Sequence, residues 1–162
     1  MSNEVENQSK SSEECVFSGF YTLEGVEYAL YTPSDYSNDS SWKYYNEDVP
    51  EGLTDNDGLA NTEFLLGSIE AYKFMLSDEK PFAAAFDCKN LTYAGKNDWY
   101  LPSYEEVLAI RSYRKLSRLP VWTSSSNKSH CKIDAPVAHH KFILVPHYHG
   151  LPIMPVRRVK VT

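Results

Sequence analysis

The nine residues 98–106, DWYLPSYEE, carry the clearest structural signal in this chain. Ser103 and Glu106 stand three residues apart, the spacing of a capping box, in which each side chain accepts a backbone N–H from the first turn of a helix. Pro102 precedes the cap, and its fixed φ and missing N–H interrupt the element before it. The stretch therefore predicts a helix that opens at Ser103 and carries the apolar residues Val107, Leu108 and Ile110.

Two tryptophans in and near this stretch predict the core. Trp99 lies inside it, and Trp122 lies in the block VWTSS at 121–125. A large apolar ring system with a single N–H donor suits a buried position where that donor meets a carbonyl. Gly58, in the upstream block DG-x-x-NT at 57–62, is expected to allow a positive φ in a tight turn. We interpret these residues as scaffold.

The sequence on either side of these blocks predicts β-strands. Residues 16–32 are strand-like, with the pair Glu24-Gly25 as a hairpin turn. Further strands are predicted at 121–126, 141–145 and 155–161. The first and last of these regions are expected to pair, because the ends of a domain often lie close together.

Two more helices are predicted between the strands. Asn61 or Thr62 can cap the first of them, whose apolar face consists of Leu65, Ile69, Tyr72 and Leu76. The second runs from Pro81, a residue suited to a first helical turn, through Cys88. The order of strands, helices and strands predicts an α+β fold in which two or three helices pack on an antiparallel sheet.

The length and the charge distribution of the chain limit the number of domains and the kinds of partner. The 162 residues suffice for about one domain, and 12 Tyr, 7 Phe and 3 Trp supply bulky core material. The net charge is −6, but residues 1–110 hold 6 Lys and Arg against 21 Asp and Glu, whereas 111–162 hold 10 against Asp134 alone. This split indicates an anionic ligand, charged contacts between subunits, or neutralisation of one half by the other.

The first 15 residues predict a disordered polar tail, because they are rich in Ser, Glu and Asn, and residues 16–162 then form the domain. No apolar h-region marks a signal peptide, and no apolar run approaches the ~20 residues that cross a bilayer. The chain is therefore expected to be made as a soluble protein without membrane insertion.

Five blocks occur together in a characteristic order: GFY…YAL at 19–30, DG-x-x-NT at 57–62, DWYLPS-x-x-E at 98–106, VWTSS at 121–125 and PVRRV at 155–159. Over roughly residues 16–160 the chain resembles the C-terminal domain of the Legionella collagen-like adhesin, the Lcl C-terminal domain family. The resemblance implies a C-type-lectin-like fold, related to that of formylglycine-generating enzyme, and a role in adhesion or ligand binding. Ser126 and Asn127 depart from the family pattern, in which an acidic residue usually follows the serine run.

The loop at residues 34–53 is the first candidate contact surface. Its aromatic residues are Tyr36, Trp42, Tyr44 and Tyr45, set among Ser, Asn and Asp. Rigid amphipathic rings with short polar neighbours are typical of binding loops, and such rings also stack on sugars. The alternative is that these aromatics fold back on the core.

A basic run at the C-terminal end of the third helix is the second candidate surface. Arg111, Arg114, Lys115 and Arg118 are three and four residues apart and would line one side of a helix. Their place at the C-terminal end of that helix, where cations complement the helix dipole, is an alternative explanation.

Metal and catalytic sites are the alternatives to these two contact surfaces. Asp55-Asn56-Asp57-Gly58 resembles the start of a calcium loop, but loop position 12 is Leu66 where an EF-hand needs Glu. Four histidines, His139, His140, His147 and His149, could meet in a hairpin as zinc ligands, although only Asp134 lies near to orient the rings. Cys88 and Cys131 could act as in formylglycine-generating enzymes, yet no motif marks a catalytic centre. Neither a metal nor another cofactor is predicted.

The sequence thus predicts a non-enzymatic binding module. We expect an adhesin-like or receptor-binding protein, such as a phage tail-fibre tip or capsid decoration, with a host-surface glycan or protein, or other virion proteins, as partners. Self-assembly stays open, and nucleic acid is not expected as a partner. The alternative is a structural virion subunit that assembles through acidic and basic faces. A third hypothesis is an enzyme of the formylglycine-generating type.

Overall fold

A computed structural model of the chain describes residues 13–42, 49–69, 82–115, 120–126, 130–134, 143–146 and 150–162. The first half holds strands β1 (Cys15–Leu23), β2 (Val26–Pro33) and β3 (Asp39–Ser41), then helices α1 (Gly58–Ile69), α2 (Ala83–Lys89) and α3 (Tyr104–Tyr113). The second half holds β4 (Val121–Ser126), β5 (His130–Asp134), β6 (Ile143–Pro146), β7 (Gly150–Pro152) and β8 (Arg157–Lys160). The predicted α+β class is confirmed, with all strand pairs antiparallel.

Within the described ranges, the strands form three small sheets where one sheet was expected. Their orders are β1-β2-β8, β3-β7 and β4-β5-β6. The β1–β2 hairpin turns at Glu24 and Gly25, both with positive φ (50° and 79°), as a two-residue hairpin turn requires. Strand β8 pairs with β2, with Val159 opposite Ala29. The predicted pairing of the two ends of the domain is therefore confirmed.

Helix α3 begins with the predicted capping box. The Ser103 hydroxyl accepts the Glu106 backbone N–H at 3.3 Å, and Glu106 Oε2 accepts the Ser103 N–H at 2.8 Å. Residues around this cap connect distant parts of the chain. Tyr100 forms an antiparallel bridge to Val156, and the backbone N–H of Tyr104 donates to Ser125 Oγ at 2.9 Å. The nine-residue stretch is therefore the point where helices and terminal strands meet.

Helix α1 starts earlier than the sequence predicted. Asp57 caps it, because its Oδ1 accepts the Ala60 N–H at 3.0 Å. Asn61 and Thr62, the predicted caps, are buried within the helix and make tertiary bonds. Asn61 donates to Ser124 Oγ at 2.9 Å, and Thr62 Oγ1 accepts the Leu101 N–H at 3.1 Å. Tyr72 and Leu76 of the predicted apolar face, and Pro81 at the predicted start of the second helix, lie outside the described residues.

The expected positive φ at Gly58 is wrong, since φ there lies outside the left-handed region. Gly58 is required by close approach. A Cβ atom there would overlap Glu106 Oε2 and the backbone N of Ser103, and would lie 2.7 Å from the Leu101 carbonyl oxygen. The Gly58 N–H also donates to Glu106 Oε2 at 3.0 Å. The first residue of α1 is thus in direct contact with the capping box of α3.

Glu106 is a fully buried carboxylate at the centre of this junction. Besides the Gly58 and Ser103 amides, it accepts the Tyr100 hydroxyl at 2.7 Å, and Arg158 lies 3.8 Å from its Oε1. Burial raises the pKa of Glu106, whereas the hydrogen bonds from Tyr100 and Ser103 and the Arg158 charge oppose that rise. A buried charge needs partners of this kind, so the carboxylate ties α1, α3 and β8 together.

All three tryptophans are buried and donate to backbone carbonyls, which confirms the prediction made for Trp99 and Trp122. Trp99 donates to Lys96 at 3.1 Å, Trp122 to Ser40 at 2.6 Å and Trp42 to Thr123 at 2.8 Å. Trp42 and Trp122 belong to one apolar cluster with Leu65, Phe82 and Leu101. A second cluster contains Leu30, Tyr100, Ile110 and Val156.

Asp57→Ala is expected to lower the free energy of unfolding by about 1–2 kcal/mol, because it removes the cap of α1. It also removes the ion pair with Arg158, whose Nη1 lies 2.9 Å from Asp57 Oδ1. Asp57→Asn is the matched control: asparagine caps equally well but carries no charge, so it should lose less than Ala. Urea unfolding of the three proteins measures the difference, and equal losses would mean that the cap contributes nothing.

Candidate functional site

An open cleft of about 630 Å³ lies between the end of α3, the loop after β2 and the chain leading from β7 to β8. Its polar lining consists of Thr32, Ser34, Tyr36, Ser37, Asn38, Asp39, Arg111, Arg114 and Lys115. Its apolar lining consists of Pro33, Val121, Pro152, Ile153, Met154 and Pro155. A concave surface with an apolar wall and several convergent polar groups is typical of small-ligand sites.

The Tyr36 side of the cleft is held by a buried tyrosine, Tyr93. The Tyr93 hydroxyl accepts the Asp35 N–H at 2.9 Å and lies 3.1 Å from Ser34 Oγ. The Tyr36 ring meets the Tyr93 ring edge to face, with centroids 6.4 Å apart. Downstream, the Ile153 N–H donates to the Asn38 carbonyl at 3.0 Å. The loop is therefore anchored at both ends, so that Tyr36 is held in place.

The opposite side is built by the last turn of α3. Arg114 is the residue after the helix, and its Nη1 donates to Ser18 Oγ at 3.3 Å and to Thr32 Oγ1 at 3.0 Å. Ser18 occupies a β-bulge in β1, and its hydroxyl also lies 2.9 Å from that of Thr32. One hydroxyl from the bulge in β1 and one from strand β2 thus fix the arginine at the cleft. A guanidinium carries five N–H donors, and Nη1 supplies only two of them.

The cleft is electropositive among its described residues, because three cations face one carboxylate, Asp39. Arg111 is half-buried, and burial lowers its pKa, although it stays charged at neutral pH. Lys115 is exposed at the rim. The charge of a half-buried cation is less screened by water than that of a surface one, so Arg111 adds more to the positive potential of the cleft than its exposed neighbour does.

The structure brings together parts of both surfaces that the sequence predicted separately. Tyr36 from the loop and Arg111, Arg114 and Lys115 from the basic run line the same cleft. Trp42 does not belong there: it is 1% exposed and packs against Phe82, so its predicted contact role is replaced by a core role. Tyr44, Tyr45 and Arg118 lie outside the described residues.

Sequence reasoning missed the wall formed by Pro152–Pro155 and the short strand β3 beside Tyr36. Strand β3 pairs with β7, placing Asp39 opposite Pro152. The signal for this pairing was weak because each strand has only three residues. Segments so short carry no periodicity, and only their contacts with each other define them.

The alternative metal and catalytic sites lie only partly within the described residues. The Asp57 carboxylate, part of the stretch that resembles the start of a calcium loop, caps α1 and pairs with Arg158, whose charge opposes a second cation. Within the described ranges, no group of three or more His, Cys, Asp or Glu side chains is placed to hold a metal ion. His139, His140, His147 and His149 lie outside those ranges. Cys88 is fully buried and burial raises its pKa, so its reactive thiolate form is disfavoured.

The charge asymmetry of the sequence is partly resolved inside the molecule. Arg157 forms a two-pronged pair with Asp98, at 2.7 and 2.9 Å, and Arg158 pairs with Asp57. Two basic residues of the second half thus neutralise acidic residues of the first. The cations of the cleft are a separate group at the end of α3.

No family model, curated protein or solved structure matches this chain. None of the helices in the described part of the chain is long and apolar enough to cross a membrane.

Proposed function

We propose that this chain is a non-enzymatic binding module of the C-type-lectin-like class, and that its cleft binds an acidic group of a host-surface glycan or protein. One observation carries the proposal: an anchored aromatic ring, Tyr36, and three cationic side chains from the end of α3 line a single cleft. Neither group alone points to a ligand, because exposed tyrosines and helix-terminal cations are common. Together on an apolar wall, they form a site that suits a ring bearing a negative charge.

The chemistry divides between the two sides of the cleft. Arg114 keeps N–H donors beyond the two of Nη1, and these can bind one carboxylate or similar anion. Arg111 and Lys115 add positive charge beside it. The Tyr36 ring is half-buried and packs partly against the apolar cluster of Trp42, and the part that lines the cleft offers apolar surface to a sugar ring. Ser37 and Asn38 beside it offer hydroxyl and amide groups. The ligand is held without any bond being made or broken.

The wider context rests on the resemblance of the blocks at 98–106 and 121–125 to the Lcl C-terminal domain. That resemblance supports an adhesin-like role on a virion, at a tail-fibre tip or as a capsid decoration. The alternative, a structural subunit joined through acidic and basic faces, is weakened by the intramolecular pairs of Arg157 and Arg158. The two differ in one observable, which is whether the isolated protein binds whole bacterial cells or glycans.

Lys115→Glu is expected to weaken binding to acidic glycans about tenfold, because it reverses a charge at the rim of the cleft. The matched control is Lys96→Glu, which makes the same change at an exposed site away from the cleft. Binding to an array of acidic and neutral glycans, at low and high salt, provides the measurement. Binding of the parent should also fall with salt, since screening acts beyond about 8–10 Å.

Two results would contradict the proposal. Equal effects of Lys115→Glu and Lys96→Glu would assign the effect to overall charge and not to the cleft. Binding confined to neutral glycans, unchanged by salt, would remove the role of the cations. Melting temperatures of both variants should match the parent, because exposed charges contribute little to stability.

A further inference from the structure

The exposed apolar side chains of the described residues concentrate on one surface. Six large hydrophobic residues are exposed among the described residues. Four of the six lie on or beside the outer face of the β1-β2-β8 sheet. These four are Phe20, Tyr113, Val159 and Val161. Contiguous apolar surface of this kind marks an interaction site more often than single exposed residues do.

Strand register explains why these residues share a face. Phe20 stands opposite Ala29, and Ala29 stands opposite Val159, so the three side chains form one row across the sheet. The bulge at Ser18 shifts the register of β1 and turns Phe17 to the same side. The Phe17 ring then meets the rings of Phe20, Tyr31 and Tyr113 at centroid distances of 5.0, 5.9 and 4.9 Å. We call the surface formed by these side chains the aromatic face; it consists of Phe17, Phe20, Ala29, Tyr31, Tyr113, Val159 and Val161.

The middle of the row is a hollow. Ala29 is 8% exposed, while its neighbours Phe20 and Val159 are 55% and 42% exposed. A methyl group thus lies between two larger side chains that rise on either side of it. The surface offers both a projecting ring and a recess of its own.

We propose that the aromatic face is the interface of a homodimer, in which a second copy of this chain stacks its own aromatic face on the first. A two-fold axis parallel to the strands would place each Phe20 ring over Ala29 of the other copy. Such an isologous interface requires a patch that fits itself, and a ridge beside a hollow meets that requirement. Sheets commonly stack face to face in this way.

The available area sets the strength of the dimer. The aromatic face presents on the order of 500 Å² per copy, so a pair would bury about 1,000 Å², near the lower bound for a specific interface. A reversible dimer that dissociates on dilution is therefore expected, rather than a permanent one.

The charges around the face are compatible with stacking. Arg157, at one end, is committed to Asp98 through two hydrogen bonds. Glu27, at the other end, is exposed and can remain at the solvent boundary. The central row of Phe20, Ala29 and Val159 carries no charge that the second copy would have to desolvate.

Sedimentation velocity over a wide concentration range tests the proposal with three proteins. The parent should show a reversible monomer–dimer equilibrium. Phe20→Glu should raise the dimer dissociation constant at least about tenfold, since it buries a charge in the centre of the interface. Phe64→Glu is the matched control, because Phe64 is also a phenylalanine, 50% exposed, but lies on α1 away from this face.

Val159→Glu provides a second variant, so that a folding defect in one does not decide the outcome. A parent that stays monomeric at every concentration would overturn the proposal. So would a dimer that Phe20→Glu and Phe64→Glu weaken equally. The aromatic face and the cleft share no residue, so loss of the dimer with intact glycan binding, or the reverse, separates this proposal from the proposed function.

Discussion

Replacing Gly58 with alanine is expected to lower the free energy of unfolding by at least about 3 kcal/mol. The added Cβ would overlap the Ser103 backbone nitrogen and the Glu106 carboxylate, neither of which lies on a flexible chain end. Relieving the overlap would move α1 away from α3. It would also break the Gly58 hydrogen bond to a carboxylate that is buried and needs every partner.

Gly67→Ala is the matched control for this prediction. Gly67 lies in the same helix, with open space where its Cβ would stand. Alanine should therefore stabilise the protein by up to about 1 kcal/mol, because it is the better helix former. Chemical denaturation of both variants measures the two changes. If both had similar effects, the close approach of α1 to α3 would not constrain residue 58.

Trp99→Ala should lower the free energy of unfolding by about 3–5 kcal/mol through the cavity that it leaves. The indole is fully buried beside the Tyr93 ring, at a centroid distance of 6.2 Å. Because Tyr93 also holds the loop of Tyr36, the cavity should loosen that side of the cleft. Binding through the cleft should then weaken in the variant even at temperatures where it remains folded.

Two further variants serve as controls for Trp99→Ala. Trp99→Phe keeps much of the volume but loses the bond to the Lys96 carbonyl, so its cost should be smaller than that of alanine. Phe64→Ala truncates an exposed aromatic residue and should change stability by less than about 0.5 kcal/mol. If Trp99→Ala melted like the parent, the scaffold interpretation of residues 98–106 would be wrong.

Features whose interactions lie within a few residues of each other could be predicted from the amino-acid sequence. The capping box needs only Ser103 and Glu106 at the right spacing, and the β1–β2 turn needs only residues at 24 and 25 that accept positive φ. The burial of Trp99 and Trp122 followed from the cost of exposing large rings. These local and compositional rules hold before any tertiary contact forms, and they correctly gave the α+β class.

The tertiary contacts of the individual residues could not be predicted in this way, because they depend on how distant segments pack. The same glycine suits a turn or a close contact, and only the position of α3 shows that Gly58 serves the second. Trp42 has the composition of a binding loop around it, but 81 residues later the Thr123 carbonyl accepts its N–H and holds it in the core. The cleft joins Tyr36 to Arg111 and Pro152, which no local pattern relates. Such sites depend on close packing between distant segments, and local sequence patterns do not distinguish the alternatives among which that packing selects.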